Sequence, residues 1–321
     1  MEDDLGFIRA AESGNLELVK MFASRGANVN ARDRFGATAL MKACLQEQPE
    51  LVRLLLDFGA DVNIRDRAYG STALILTSLT GSAETLAMLL RRGADINATT
   101  KVGGTALMTA CRGGHEEAVQ LLLEGRANAL LADRRGFTAL MEASREGYPR
   151  VVRMILTASG HIDATDAAGR TALFWACFKG HVEVAELLLE NGAAADIADK
   201  HGNTPLIWAC FKNHLPVTET LLDSGVDANF QTAKGYSPLL LAASAGHREM
   251  VGLLLERGAD INFRNCLGYT ALLVAHAAKR TDVIRLLMIR HLRQGRWTES
   301  LVRGPGRAGH RIKLPRMSLA C

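Results

Sequence analysis

The sequence lacks the segments that would direct a chain into or across a membrane. Its N-terminus, MEDDLGFIRAAESG, has neither the basic start nor the apolar centre of a secretory signal. No apolar run approaches the roughly 18 to 20 residues that a membrane-spanning helix needs. Because 48% of the residues are hydrophobic, the chain still has enough apolar material to fold. We therefore expect an intracellular protein that is cytoplasmic, or nuclear if the source is eukaryotic.

Sequence motifs of catalysis and metal binding are also missing. The patterns Gly-x-x-x-x-Gly-Lys, Gly-x-Ser-x-Gly, His-Glu-x-x-His and Cys-x-x-Cys do not occur. Four of the nine histidines, His115, His181, His214 and His247, recur at one position of a repeat, so they cannot converge on a single metal ion. We predict a protein that is not an enzyme, with no catalytic residues, no metal site and no cofactor.

The six cysteines are not spaced as a disulfide framework. Cys44, Cys111, Cys177 and Cys210 fall at one position of the repeat, so neighbouring thiols belong to different packed helices. Packed helices lie about 8–10 Å apart, whereas a disulfide needs Cα atoms within about 7 Å. We expect these four residues to be free thiols that pack as small side chains.

What the sequence does contain is a phrase repeated at a fixed period. Its alignment points are Thr38, Thr72, Thr105, Thr138, Thr171, Thr204, Ser237 and Thr270. The first interval is 34 residues and the following six are 33 residues. A constant period between about 20 and 50 residues is typical of a solenoid.

Each unit predicts two helices and a turn. The aligned Thr or Ser is a good N-cap, and Pro205 and Pro238 follow it at the first helical position, where proline is tolerated. A helix of about ten residues should begin there and end near a glycine such as Gly180. The following segment, VEVAELLLE at 182–190, has one apolar and one acidic face and predicts an amphipathic second helix. A Gly-Ala-Asp-x-Asn segment then leads to the next unit.

Several units resemble the ankyrin repeat. DAAGRTALFWACFKGHVEVAELLLENGA and DKHGNTPLIWACFKNH follow its pattern of Asp-x-x-Gly-x-Thr-Pro-Leu-His-x-Ala, then Gly-His and Leu-Leu-x-x-Gly-Ala. The resemblance covers about residues 5–292, as eight units after a half-matching N-terminal one. It implies an all-α solenoid of about nine stacked helix-turn-helix units, with β-turn fingers that form a concave groove together with the first helices.

The chain departs from the ankyrin pattern at three kinds of position. The family's histidine after Thr-Pro-Leu is replaced by Met41, Ile75, Met108, Met141, Phe174, Ile207, Leu240 and Leu273. The glycine that ends the second helix is replaced by Arg126 and Ser159 in two adjacent repeats. We expect rearranged loops there because a positive φ is unfavourable for residues with a side chain. One alternative is that Gly125 takes over the turn from Arg126. His291 replaces this glycine in the last unit, which needs no successor.

The C-terminal segment does not continue the repeat. We assign residues 1–292 to the repeat array and residues 293–321 to a basic tail. The tail has seven basic residues and one acidic residue, is rich in glycine and proline, and predicts disorder. The remaining chain is close to neutral.

The resemblance implies that the two residues before Gly-His face the groove and vary with the partner. The first of these positions holds Leu45, Leu79, Arg112, Arg145, Phe178, Phe211, Ser244 and Ala277, and the second holds Lys179 and Lys212 after the two phenylalanines. Trp175 and Trp208 lie close to one helical turn before those phenylalanines. We predict that Phe178, Phe211, Arg112, Arg145, Lys179 and Lys212 bind a partner. Whether the tryptophans bind it too or pack between repeats stays open, although polar residues at the equivalent position, Lys42, Thr109 and Glu142, indicate partial exposure.

Basic residues also mark the predicted fingers. They are Arg34, Arg67, Lys101, Arg134, Arg135, Arg170, Lys200 and Lys234. Spaced along one edge, they would form a positive stripe that attracts an acidic segment, or they could serve only to keep the turns soluble.

These patterns favour a non-enzymatic interaction module or scaffold. We expect it to bind another protein that carries acidic and apolar side chains, through its groove and its basic finger edge. One alternative is binding of nucleic acid or an anionic surface through the fingers and the tail. Another is that the chain is the regulatory subunit of an enzyme.

Overall fold

Helices are the regular structure of residues 2–293, the part of the chain that this computed structural model describes. Within those residues there are 18 helices and no strands, only two isolated bridges in the turns. Apart from Arg293, the predicted basic tail lies outside the described residues. The chain divides into two compact units, the first ending at Ala167 and the second beginning at Ala168.

The first unit contains five helix pairs. Its helices are α1 (Glu2–Glu12), α2 (Leu16–Ser24), α3 (Ala39–Leu45), α4 (Pro49–Asp57), α5 (Ala73–Thr80), α6 (Ala83–Arg91), α7 (Ala106–Gly113), α8 (Glu116–Glu124), α9 (Ala139–Glu146) and α10 (Pro149–Ala158). The first helices α1, α3, α5, α7 and α9 pack in a row, and α4, α6, α8 and α10 form a second row behind them.

The second unit contains four pairs with the same plan. Its helices are α11 (Ala172–Lys179), α12 (Val182–Glu190), α13 (Pro205–Lys212), α14 (Leu215–Asp223), α15 (Pro238–Ala245), α16 (Arg248–Glu256), α17 (Ala271–Ala277) and α18 (Thr281–Arg293). The odd-numbered helices form one row and the even-numbered helices form the other.

The first helices from α3 onward begin at the predicted caps. At each cap the hydroxyl oxygen accepts a hydrogen bond from the backbone N–H three residues later, as Thr171 Oγ1 does from Phe174 N at 3.1 Å. Pro205 and Pro238 are the first residues of α13 and α15. These helices span seven or eight residues, fewer than the ten expected, because the capping residues, such as Thr171 and Gly180, lie outside the helix.

Glycine at the end of a first helix also makes room for the next repeat. Gly180 follows α11 with φ +84°, and a Cβ atom placed on it would lie 2.7 Å from His214 Nδ1. Both the backbone conformation and the close imidazole therefore disfavour larger residues at this position. Asn213 takes the same left-handed conformation after α13, with φ +62°.

The loops at the two missing glycines differ from each other. Arg126 itself adopts φ +64° while Gly125 has φ −73°, so the expected rearrangement is wrong there, as is the alternative of Gly125 in the turn. At the equivalent position, a Cβ atom on Gly93 would meet nothing within 4 Å, which explains why a side chain fits. Ser159 is extended, with φ −146°, and its loop is rearranged as expected.

Apolar side chains that replace the family's histidine lie in the core. All eight of these residues are buried, and so are Cys44, Cys111, Cys177 and Cys210. The four cysteines are free, as predicted. Burial raises the pKa of the Cys44 and Cys210 thiols to about 12, and it also raises the pKa of Cys111 and Cys177.

Candidate partner-binding surfaces

An aromatic cluster connects α11 and α13 in the second unit. The Phe178 ring lies 5.2 Å from the Trp208 ring and 5.9 Å from the Trp175 ring, in edge-to-face geometry. Phe174 stacks on Phe178 at 6.3 Å, and Phe211 meets Trp208 at 5.9 Å. Such pairs add about 0.5–1.5 kcal/mol each beyond the area they bury. The segment Trp-x-Cys-Phe-Lys, which occurs at 175–179 and again at 208–212, therefore forms one continuous cluster together with Phe174.

The two tryptophans form the buried side of this cluster. Trp175 and Trp208 are buried within the protein. Trp208 Nε1 donates a hydrogen bond to Asp199 Oδ2 at 3.2 Å, and Asn203 Nδ2 donates to the same buried carboxylate at 3.1 Å. The Asp199 carboxylate thus joins a finger to α13. The partial exposure inferred from the polar equivalents is wrong for the tryptophans, which are buried, although Lys42 and Thr109 at the equivalent position are half-buried.

Phe178 and Phe211 form the outer side. Both are half-buried, so part of each ring faces solvent. Their backbone carbonyl groups accept hydrogen bonds from imidazoles of the following repeat, with His214 Nε2 3.1 Å from Phe178 O and His247 Nε2 3.3 Å from Phe211 O. Burial lowers the pKa of His214, although its bond to the Phe178 carbonyl opposes the shift; the nearby charges of Lys212 and His181 lower it further.

Cations lie on and beside the aromatic cluster. Lys212 Nζ is 4.7 Å from the centre of the Phe178 ring, and the Arg170 guanidinium is 4.3 Å from the Trp175 ring. Both distances allow a cation–π interaction. Lys179 and Lys200 are exposed. The second unit thus brings together six of the predicted residues and leaves these two lysines in solvent. We call Phe178, Phe211, Lys179 and Lys212 the aromatic surface.

In the first unit, the two predicted groove arginines bind a carboxylate of their own chain. Glu142 is buried on α9, with its Oε1 3.1 Å from Arg112 Nη2 and its Oε2 2.8 Å from Arg145 Nη2. Arg145 also pairs with Glu146 at 2.8 Å and lies 5.3 Å from the Phe137 ring. The side chain of Arg112 is 48% exposed and that of Arg145 only 19%, so Arg112 has more room for an external acidic group.

The predicted finger residues of this unit are exposed. Arg134 lies at a turn and its backbone N–H donates to Val102 O at 2.9 Å. Arg135 stacks on Phe137 at 4.7 Å and lies 3.6 Å from the Asp133 carboxylate. The Arg135 guanidinium is therefore held at the finger edge, and the Arg134 backbone is bonded to the preceding finger.

Comparison with known families agrees with this architecture. A family model described as Ankyrin repeats (3 copies) matches residues 7–100, 81–166, 159–232 and 215–294. The chain belongs to the ankyrin-repeat family. No curated protein matched it. The ankyrin-repeat protein thus has the all-α solenoid fold that its sequence predicts. Ankyrin repeats are generally protein–protein interaction modules and are typically not enzymes.

The fingers of this ankyrin-repeat protein also carry apolar residues that the sequence analysis missed. Phe35, Tyr69 and Val102 are exposed on three successive fingers of the first unit. The available signal was an apolar residue directly before the finger glycine in consecutive units.

The described part of the ankyrin-repeat protein has neither a metal-binding group of side chains nor a membrane-spanning helix. Across residues 2–293, no three His, Cys, Asp or Glu side chains are grouped so that they could hold a metal ion. None of the helices described has both the length and the apolar character needed to cross a bilayer.

Proposed function

We propose that this ankyrin-repeat protein is a non-enzymatic interaction module that binds a partner protein through the aromatic surface of its second unit. The observation that carries the proposal is the difference in burial between the tryptophans and the phenylalanines of the aromatic cluster. Trp175 and Trp208 are buried, whereas Phe178 and Phe211 expose part of their rings in front of them. Two half-buried phenylalanines that are supported by buried tryptophans are suited to binding apolar side chains.

Preorganisation supports this use of the surface. The Phe178 ring has Phe174, Trp175 and Trp208 around it, and its carbonyl is bonded to His214. Side chains that are already ordered lose less conformational entropy on binding. The partner therefore meets a surface whose geometry is set in advance.

The lysines of the aromatic surface indicate which charges the partner carries. Lys179 is exposed beside the phenylalanines and Lys212 lies over Phe178, so acidic groups next to apolar ones are favoured. Within the first unit by itself, Arg112 is a half-exposed cation that can pair with an acidic group, whereas Arg145 mainly pairs with Glu142. We propose a partner with apolar and acidic side chains and a cytoplasmic setting, where the free cysteines stay reduced.

Affinity capture with Phe211→Ala tests the proposal. Phe211 contacts the edge of the cluster at Trp208, whereas Phe178 packs against three rings, so truncation of Phe211 disturbs the fold less. Phe58→Ala is the matched control, because Phe58 is an exposed phenylalanine after α4 in the first unit. We expect Phe211→Ala to lose proteins that wild type and Phe58→Ala retain. The partner identified should then bind Phe211→Ala about tenfold more weakly by calorimetry.

Two further arms separate the other functions. The capture is repeated after nuclease treatment and with a chain truncated after Arg293, which keeps α18 whole. Unchanged capture and affinity for folded Phe211→Ala, with loss after nuclease or truncation, would replace the proposal by electrostatic binding of nucleic acid. A captured enzyme whose rate changes on binding would make this chain its regulatory subunit.

A further inference from the structure

Three successive fingers of the first unit present apolar side chains to solvent. Phe35 is 52% exposed, Tyr69 73% and Val102 61%. Each directly precedes the glycine of its finger turn, namely Gly36, Gly70 or Gly103. We call Phe35, Tyr69 and Val102 the apolar fingertip strip. Such a concentration of exposed apolar side chains differs from single surface residues, which need no explanation.

Backbone hydrogen bonds join these fingertips directly. The carbonyl of Phe35 accepts from Arg67 N at 2.8 Å, and that of Tyr69 accepts from Lys101 N at 2.7 Å. The fingers are in close contact, since a Cβ atom on Gly36 would lie 2.6 Å from Arg67 N. Each apolar residue is therefore bonded to the basic residue of the following finger. The strip is a connected row on an ordered backbone.

The surroundings of the strip are basic. Residues 32–36, 65–70 and 99–104 contain five basic and two acidic side chains. Both carboxylates are engaged in the turns: Asp33 Oδ1 accepts from Phe35 N at 2.8 Å, and Asp66 Oδ1 accepts from Tyr69 N at 2.6 Å. Exposed cations remain beside the strip, with the Arg34 guanidinium 4.6 Å from the Phe35 ring.

This combination is confined to part of the array. At the same position, the finger after Val102 has Arg135, and the fingers of the second unit have Ala168, His201, Lys234 and Leu267. Leu267 is 55% exposed but stands next to Lys234 in the preceding finger, not in an apolar row. Leu267 is therefore a matched control, because it is a single exposed apolar fingertip residue that does not belong to the strip.

We propose that the apolar fingertip strip is a second docking surface, which binds a polypeptide segment carrying both apolar and acidic side chains. Apolar side chains of that segment cover Phe35, Tyr69 and Val102, and its carboxylates pair with Arg34, Arg67 and Lys101. The strip lies in the first unit and shares no residue with the aromatic surface. Its function does not depend on the function proposed for that surface.

A random peptide library displayed on phage tests this inference. It is selected in parallel on the wild-type chain, on Phe35→Ser/Tyr69→Ser, on Leu267→Ser and on Phe211→Ala. These positions are exposed or at the edge of a cluster, and circular dichroism checks that each variant is folded. We expect wild type, Leu267→Ser and Phe211→Ala to enrich peptides that combine Leu, Ile or Phe with Asp or Glu. The double fingertip variant should lose the peptides that Phe211→Ala still enriches, because these peptides do not depend on the aromatic surface.

The most enriched peptide then gives affinities by fluorescence anisotropy. We expect it to bind the double fingertip variant at least about tenfold more weakly than wild type, and Leu267→Ser within about twofold. Arg34→Glu/Arg67→Glu should weaken binding more at low salt than at high salt, and Lys234→Glu should have little effect. Retained binding by Phe211→Ala would distinguish this surface from the aromatic one.

Several outcomes would overturn the inference. These are the absence of strip-dependent enrichment, a consensus without acidic residues, and an equal loss in Leu267→Ser. A labelled single-stranded oligonucleotide that depends on the same fingertips would assign them to nucleic acid instead. Self-association in sedimentation experiments that disappears in Phe35→Ser/Tyr69→Ser would assign them to a second copy of the chain.

Discussion

Glu142→Gln should destabilise the first unit although it changes almost no volume. The buried carboxylate accepts from Arg112 at 3.1 Å and pairs with Arg145 at 2.8 Å. The substitution leaves both guanidinium groups in place but removes the negative charge that they share. A hydrogen bond to a charged group contributes about 1.5–3 kcal/mol, so we assign a loss of about 1 kcal/mol to the one hydrogen bond, from Arg112, and a similar loss to the Arg145 ion pair. Because Arg112 is half exposed, its share is reduced by solvent screening. We expect the free energy of unfolding to fall by about 1–2 kcal/mol.

Glu84→Gln is the matched control for this prediction. The same substitution there removes a carboxylate that lies 3.0 Å from Arg53, but both side chains are largely exposed. Surface pairs of this kind contribute about 0–1 kcal/mol. Urea denaturation followed by circular dichroism measures both variants, with the slope checked against wild type because repeat arrays can unfold in steps. Equal losses in the two variants would refute the argument that burial gives the Glu142 pair its strength.

Two further predictions concern the thiols and the half-buried His214. In a Cys321→Ser background, Ellman's reagent should label Cys266, which is exposed. It should reach buried thiols such as Cys210 only after unfolding, since burial raises the Cys210 pKa to about 12. Rapid labelling of several thiols in the folded chain would contradict this. Because the pKa of His214 is lowered in the folded state from its ordinary value of 6.5, the unfolded chain binds more protons just below that pH. The contribution of His214 to the free energy of unfolding should therefore be fully present above about pH 6.5 and decrease as the pH drops below it. His214→Asn should reduce this slope in urea denaturation series, and an unchanged slope would exclude His214 as a cause.

Local features of the repeat could be predicted from sequence because they depend on residues a few positions apart. A threonine cap bonds to an amide three residues later, and a glycine such as Gly180 ends the helix that it follows. The prediction at Arg126 failed for a different reason. Whether a side chain fits at a left-handed position depends on the space around it, and the open surroundings of Gly93 are a property of the folded loop.

Burial at the Trp175, Trp208 and Glu142 position could not be predicted because the partners lie in other elements of the fold. The buried Glu142 is bonded to Arg112, which lies 30 residues earlier in the preceding repeat. Trp208 is satisfied by Asp199 in a finger. A polar residue in a helix predicts exposure only when no such partner is available. The charge pattern of the fingers was visible in sequence, whereas the exposure of Phe35 and Tyr69 required the packed turns.

The histidine bonds between repeats have a consequence for how recognition can change. His214 and His247 hold the backbone carbonyl groups of Phe178 and Phe211, whose side chains point to the aromatic surface. His115 holds Leu79 in the same way, with Nε2 3.1 Å from the carbonyl oxygen. One residue therefore contributes its main chain to assembly and its side chain to the surface that we propose for binding. Mutation can alter the ring that a partner meets while the joint between adjacent repeats is preserved, which leaves specificity free to diverge at constant architecture.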